Sequence, residues 1–280
     1  MINIMGFGDY GCTIENCPIR EYIIVVGAED YYTGAGEKLM FMAQAVRYVR
    51  LWSRKFDLTS VFYFQGVSAT STQCSAFKDA VIKYGGVVSK ISEWSAIASH
   101  INNRQTVING KSKQKQVQVL IFFAHGTPSK GIWLSSKEGK FFTAAEASTV
   151  DASAFIPKSN AGTRHVTSWA CQTGNAGENS KTAEYNMTNS LAQALADFWD
   201  IKVYASATKT DYSNTWGTGI SGLIDDWSGH RSLIDGAVWE PDGADGSVFS
   251  SDKSSQGDMP QGMHRFMPGQ TTNYQSYNLD

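Results

Sequence analysis

Two residues of this sequence stand where chemistry can be done. The run Val117–Gly126, VQVLIFFAHG, is apolar until it stops at His125, with Gly126 behind it. The run His165–Gly174, HVTSWACQTG, stops at Cys171 behind Ala170. A cysteine attacks as its thiolate, so its proton must be taken or its pKa lowered. Histidine is the side chain suited to taking that proton near neutral pH. A nucleophile and a base are what cysteine-dependent acyl transfer needs. The tetrahedral oxyanion of such a reaction also needs backbone donors beside the nucleophile. Gly126 suits this, since a glycine lets the backbone approach a substrate closely, and the amide of Cys171 is the second candidate. The QTG that follows Cys171 is polar and turn-forming, a place for a helix to begin, and a helix N-terminus would favour the thiolate further.

Both runs are β-branched and aromatic over four to eight residues and closed by small ones, the pattern of buried strands in a parallel sheet. Ligands of open α/β sheets bind beyond the carboxyl ends of the strands, which is where His125 and Cys171 fall. Further strands are expected at 22–28, 60–64, 87–91 and 201–206. Helices are expected at 38–50, 75–84 with a stop at Gly85-Gly86, 92–101 with Ser92 as N-cap, 141–147 and 189–198. Lys111–Gln116 reads as a polar, basic loop. This alternation predicts a mostly parallel sheet with helices on both faces. Residues 1–20 read as an irregular leader and 21–240 as the α/β domain. Residues 241–280, rich in Gly, Ser, Asp, Gln and Met and without periodicity, read as a C-terminal flap or tail.

The 280 residues carry a net charge of −2 and are 42% hydrophobic. That is enough for a full core, and it gives no reason to expect nucleic acid or an anionic membrane as partner. No apolar run approaches the 18 or so residues of a bilayer span. The N-terminus lacks the basic and apolar regions of a signal peptide. Cytoplasmic residence, or export without a signal peptide, is expected. Cys12 and Cys17 have a spacing that makes a poor zinc signature, with no cluster to complete it. They read as ordinary thiols of a reducing compartment. No metal and no cofactor is expected.

VLIFFAHG followed by SWACQTG resembles the paired signature of the caspase-like cysteine peptidases, the group of caspases, metacaspases, legumains, gingipains, clostripain and toxin self-cleaving domains. Order matches, His before Cys, and so does the separation of 46 residues. The resemblance covers roughly residues 20–210. It implies a three-layer sandwich about a sheet of some six strands, with His125 as general base, Cys171 as nucleophile, and Gly126 and Cys171 as oxyanion amides. It implies a protein or peptide substrate, and a role as effector or toxin-type protease is one expectation. An activating or inhibiting protein partner is left unidentified.

SLAQALADFWDIKVYASA resembles the helix and strand that follow the cysteine in that group. The next loop lines the substrate groove there, which makes Asp211 a pocket candidate. Trp169 stands two before Cys171, where relatives that cut after a charged residue often carry a polar contact. An indole there implies a pocket for an apolar or small residue, or one blocked until something moves, unless Trp169 faces the core. In the family's sheet order the first strand lies beside the His strand, so Ala28-Glu29-Asp30 should approach His125. Asp30 is the expected orienting group, because the shorter side chain loses less freedom when fixed. The alternative is a backbone carbonyl in that role, or both acids simply capping the following loop.

An α/β-hydrolase needs a G-x-S-x-G elbow, which is missing. Gly34-Ala35-Gly36-Glu37-Lys38 has neither dinucleotide nor P-loop spacing. A caspase-like scaffold used for binding, with its dyad idle, is the non-enzymatic reading.

Overall fold

The computed structural model describes residues 17–30, 39–66, 69–128, 130–157, 164–177, 186–212, 215, 248–250, 263–272 and 275–277. Six strands run parallel: β1 (Ile19–Val26), β2 (Leu58–Phe64), β3 (Val87–Ile91), β5 (Lys111–Phe123), β9 (His165–Ser168) and β10 (Lys202–Ser206). Their order across the sheet is β10-β9-β5-β1-β2-β3, and β13 (Met263–Phe266) and β14 (Gln275–Tyr277) extend it antiparallel beyond β10. The chain is therefore mixed α/β with a mostly parallel central sheet. Part of the stretch after residue 241, which showed no periodicity, forms a sheet edge.

Alternation within the central strands decides what each face holds. Ile23 and Val25 of β1, with Leu120 and Phe122 of β5, pack against α3 (Trp94–Asn102) and α5 (Leu191–Trp199). Their neighbours Tyr22, Ile24, Val26, Val119, Ile121 and Phe123 pack against α1 (Met40–Trp52) and α2 (Ser71–Lys83). A period of two in a strand buried on both sides yields two apolar layers from one near-continuous apolar run.

Local chemistry moved several boundaries. α2 begins earlier than its apolar pattern, because Thr70 and Gln73 form a reciprocal capping box. α3 starts at Trp94 after Glu93, so Ser92 is not its N-cap. The expected helix at 141–147 divides into β8 (Lys140–Phe142) and the single turn α4 (Ala144–Ala147), which Thr143 and Glu146 cap. β8 closes a small antiparallel sheet with β7 (Gly131–Ser135) and β6 (His125–Thr127). Cys17 is disulfide-bonded, which corrects its reading as an ordinary thiol. Cys12 lies outside the described residues.

The largest correction concerns 111–116. This segment is not a loop. It is the first half of β5, in a hairpin with β4 (Gln105–Ile108) that turns at Asn109-Gly110 with both residues at positive φ. The turn brings Lys115 inside. Its ammonium donates to the buried Glu21 carboxylate at 2.6 Å and to the His100 carbonyl at 2.9 Å. Ser60 Oγ donates to the other Glu21 oxygen, which also lies 2.6 Å from His100 Nε2. Burial alone would raise the Glu21 pKa, but the His100 and Lys115 partners outweigh it and hold it below 4.5.

Removing one partner of a buried pair strands the other charge, which costs about 3–5 kcal/mol. Lys115→Met is therefore expected to lower unfolding stability by about that amount in a urea titration, where a change within 0.5 kcal/mol would mean a solvated side chain. Because the folded pKa of Glu21 is depressed, its contribution is present above the ordinary 4.5 and is lost as pH falls through the folded value. Glu21→Gln should flatten that acid limb.

Candidate active site

β5 and β9 are adjacent and parallel, with Phe122 opposite Ser168, and Trp169 N–H donates to Phe122 O at 3.0 Å. His125 and Cys171 each lie three residues beyond that pair, so equal offsets bring the two strand ends level. The backbones meet at Gly126. A Cβ there would stand 2.6 Å from Cys171 O and 3.2 Å from Cys171 N, so no larger residue fits. From β1 the chain builds outward through β2 and β3, then crosses back to lay β5 on the other side of β1. That switch point is where open α/β sheets form their ligand crevice, and His125 follows the end of one of its two strands, β5.

Three side chains surround the imidazole. Nε2 of His125 lies 2.5 Å from Glu29 Oε2, and Glu29 is almost wholly buried. Phe41, at the start of α1, presents its ring edge-on with centroids 5.0 Å apart, and Trp133 of β7 stands at 6.0 Å. The His125 side chain remains 19% exposed. A Glu29 carboxylate accepting the Nε2 proton leaves Nδ1 with the lone pair, and Nδ1 is then the atom that can take a proton.

The orienting acid is thus Glu29 and not Asp30. Asp30 points away, into the β7–β8 turn. It accepts from Ser135 Oγ at 3.3 Å, Ser136 Oγ at 3.1 Å and the Lys137 N–H at 3.1 Å. The short side chain suits a turn-capping role, and the extra methylene of Glu29 spans the gap to the ring.

Cys171 is a half-buried free thiol. No helix begins behind it. Residues 171–174 form a turn, with Gln172 at φ 56. That turn is tied to the end of β10 by Gln172 N–H to Thr208 O at 2.8 Å and Gly174 N–H to Ser206 O at 2.9 Å. The donor to the sulfur comes from elsewhere. The Thr210 N–H reaches Sγ at 3.4 Å, and Thr210 Oγ1 lies at the same distance. The thiol also donates to Thr210 O at 3.8 Å, so Thr210 stands against the sulfur where a helix N-terminus was expected. Thr210 in turn donates its hydroxyl to Trp169 O at 2.6 Å, and Tyr212 donates to the same oxygen at 3.1 Å. Both residues lie in the loop after β10, where no apolar pattern marks them. The resemblance pointed to this loop, and Asp211 within it is half-buried, paired opposite Phe249 in β11 (Thr210–Asp211) and β12 (Phe249–Ser250).

Trp169 is not a pocket wall. It is 3% exposed and packs in the core layer of α1 and α2. Strand alternation explains this, since Trp169 and Ala170 fall on opposite faces and Ala170 joins the α3 and α5 layer. No family model matches the chain, and no curated protein is significantly similar to it.

Among the described residues no group of three or more His, Cys, Asp or Glu could hold a metal ion. No helix among them is long and apolar enough to cross a membrane. The arrangement offers a base with a fixed tautomer, a thiol with a backbone donor, and a glycine amide alongside.

Proposed function

We propose that the protein is a cysteine endopeptidase of caspase-like type, acting through His125 and Cys171. The observation that carries this is the level placement of the two residues just beyond the ends of adjacent parallel strands, with a buried carboxylate on one nitrogen of the histidine. His125 Nδ1 takes the thiol proton, and the sulfur attacks the scissile carbonyl carbon. The carbonyl becomes an oxyanion near the amides of Gly126 and Cys171. Its collapse breaks the C–N bond, the leaving nitrogen takes the proton from His125, and a thioester remains. Water, deprotonated by His125, attacks the thioester, releases the carboxylic acid product, and the proton returns to sulfur. The mostly parallel sheet, with β1 beside β5, supports this reading, since the resemblance implies that neighbourhood. With Trp169 in the core, the preference at the cleaved residue rests on the loop of Thr210 to Tyr212, where Asp211 is the remaining candidate.

The disulfide at Cys17 favours an oxidising compartment. Of cytoplasmic residence and export, export is the better reading.

The test is a peptide library digested by the protein, with the cleavage sites mapped by mass spectrometry, and a thiol-reactive probe on the same sample. The expected result is a defined set of cut sites and labelling of Cys171 ahead of Cys74, whose thiol burial pushes up in pKa. No cleavage, with Cys171 no more reactive than Cys74, would favour the idle scaffold instead.

A further inference from the structure

The residues that follow each parallel strand lie in a row across the carboxyl edge of the sheet. In strand order they are Thr210 after β10, Cys171 after β9, His125 after β5, Glu29 after β1, Gln65 and Gly66 after β2, and Ile91 and Ser92 at the end of β3. A cavity of about 420 Å³ opens at the far end of this row. Phe64, Ala69 and Ile91 give it an apolar floor, and Lys90, Gln65 and Ser135 its polar groups. It adjoins the site through backbone, since Gly66 packs so closely on the Glu29 carbonyl that a Cβ would collide with it.

We propose that this cavity receives an acidic side chain from the leaving half of the peptide substrate. The inference rests on the peptidase reading above. In that reaction the leaving nitrogen takes its proton from His125, so the chain beyond the cut must depart on the histidine side of Cys171, away from Thr210. That direction leads over Glu29 to the cavity. Neighbouring strands lie about 4.8 Å apart, so two to three strands from β5 span about 10–14 Å, or three to four residues of extended peptide.

The charge of the cavity selects the side chain. Lys90 Nζ donates to Gln65 Oε1 at 2.6 Å, a neutral partner, and Gln65 in turn donates to Ala69 O at 3.1 Å, which fixes the amide. One acid, Glu138, also lines the cavity; the Lys140 ammonium pairs with Glu93, and that bond and, less, the Glu138 charge raise its pKa. The ammonium of Lys90 is left to a carboxylate that enters with aliphatic carbon against Phe64 and Ile91.

The experiment compares internally quenched peptides that share one cleavage sequence and differ only in Glu, Ala or Lys at the third or fourth residue after the cut. Wild-type protein is expected to cleave the Glu peptide about 10-fold faster than the Lys peptide in kcat/KM, and Lys90→Glu to invert that ratio. Lys90 is exposed, so the reversal should not disturb folding. Cleavage with no preference at either position, or a preference that survives Lys90→Glu, overturns the subsite and leaves the peptidase reading standing. If wild type cleaves none of these peptides and none of the library, the peptidase reading fails and the subsite with it.

Discussion

Cys171→Ala and His125→Ala are each expected to remove peptide cleavage, by about 10⁴-fold or more in kcat/KM, and the double variant to be no worse than either single one. In the proposed reaction the thiol forms the covalent bond and the imidazole both removes and returns its proton. Groups that act as one unit lose nearly everything when either is lost. Neither change should unfold the protein. Cys171 is half-buried with its sulfur hydrogen-bonded to the Thr210 backbone and hydroxyl, and His125 keeps part of its ring in solvent. Thermal melting separates the cases, since a variant that is inactive but melts near wild type has lost chemistry alone. Substantial activity in both variants would place the reaction on other residues. A second readout isolates the base. Alkylation of Cys171 by iodoacetamide at neutral pH should slow in His125→Ala, whereas Cys74, buried in the α1 and α2 layer, should react at an unchanged low rate.

The parallel strands were legible because a strand buried on both faces must be apolar at nearly every position, and runs such as YIIVV and VQVLIFF permit little else. The hairpin at 105–116 was not. Its residues are polar and lysine-rich because one half projects into water, and hydrophobic pattern is silent there. The dipeptide Asn109-Gly110 is a strong two-residue turn signal and marks it. Nor could pattern show that Lys115 is buried, since a buried lysine exists only through a partner, here Glu21, 94 residues away. The same limit governs the site. His125 and Cys171 announce themselves because each ends a strand. Thr210 acts through its backbone N–H, which every residue but proline has, and so carries no mark in the sequence. Trp169 was legible in principle, since alternation from Ser168 through Ala170 and the position of the α1 and α2 layer settle which way it points.

Glu29 and Asp30 are adjacent acids, and the structure separates their work sharply enough to test. Glu29→Gln keeps the size of the side chain but removes the fixed acceptor for the His125 Nε2 proton. An amide can turn its NH₂ toward the ring and hold the wrong tautomer, with the proton on Nδ1 where the base must be free. In serine triads an equivalent change costs about 10⁴-fold in kcat. A thiol is more acidic than a serine hydroxyl and depends less on its base, so the loss expected here is about 10²-fold. It should fall on kcat with KM little changed, because Glu29 touches the histidine and not the substrate. Asp30→Asn should do the reverse. Its carboxylate gathers two hydroxyls and one backbone N–H of the β7–β8 turn. Charge-assisted bonds of this kind contribute about 1.5–3 kcal/mol where a neutral acceptor contributes less. Asp30→Asn is therefore expected to melt earlier while retaining kcat within about 3-fold. Steady-state kinetics and thermal melting on the two variants decide the matter. A kcat that falls in Asp30→Asn and holds in Glu29→Gln would return the orienting role to Asp30, and a kcat that holds in both would leave His125 and Cys171 to work as a dyad.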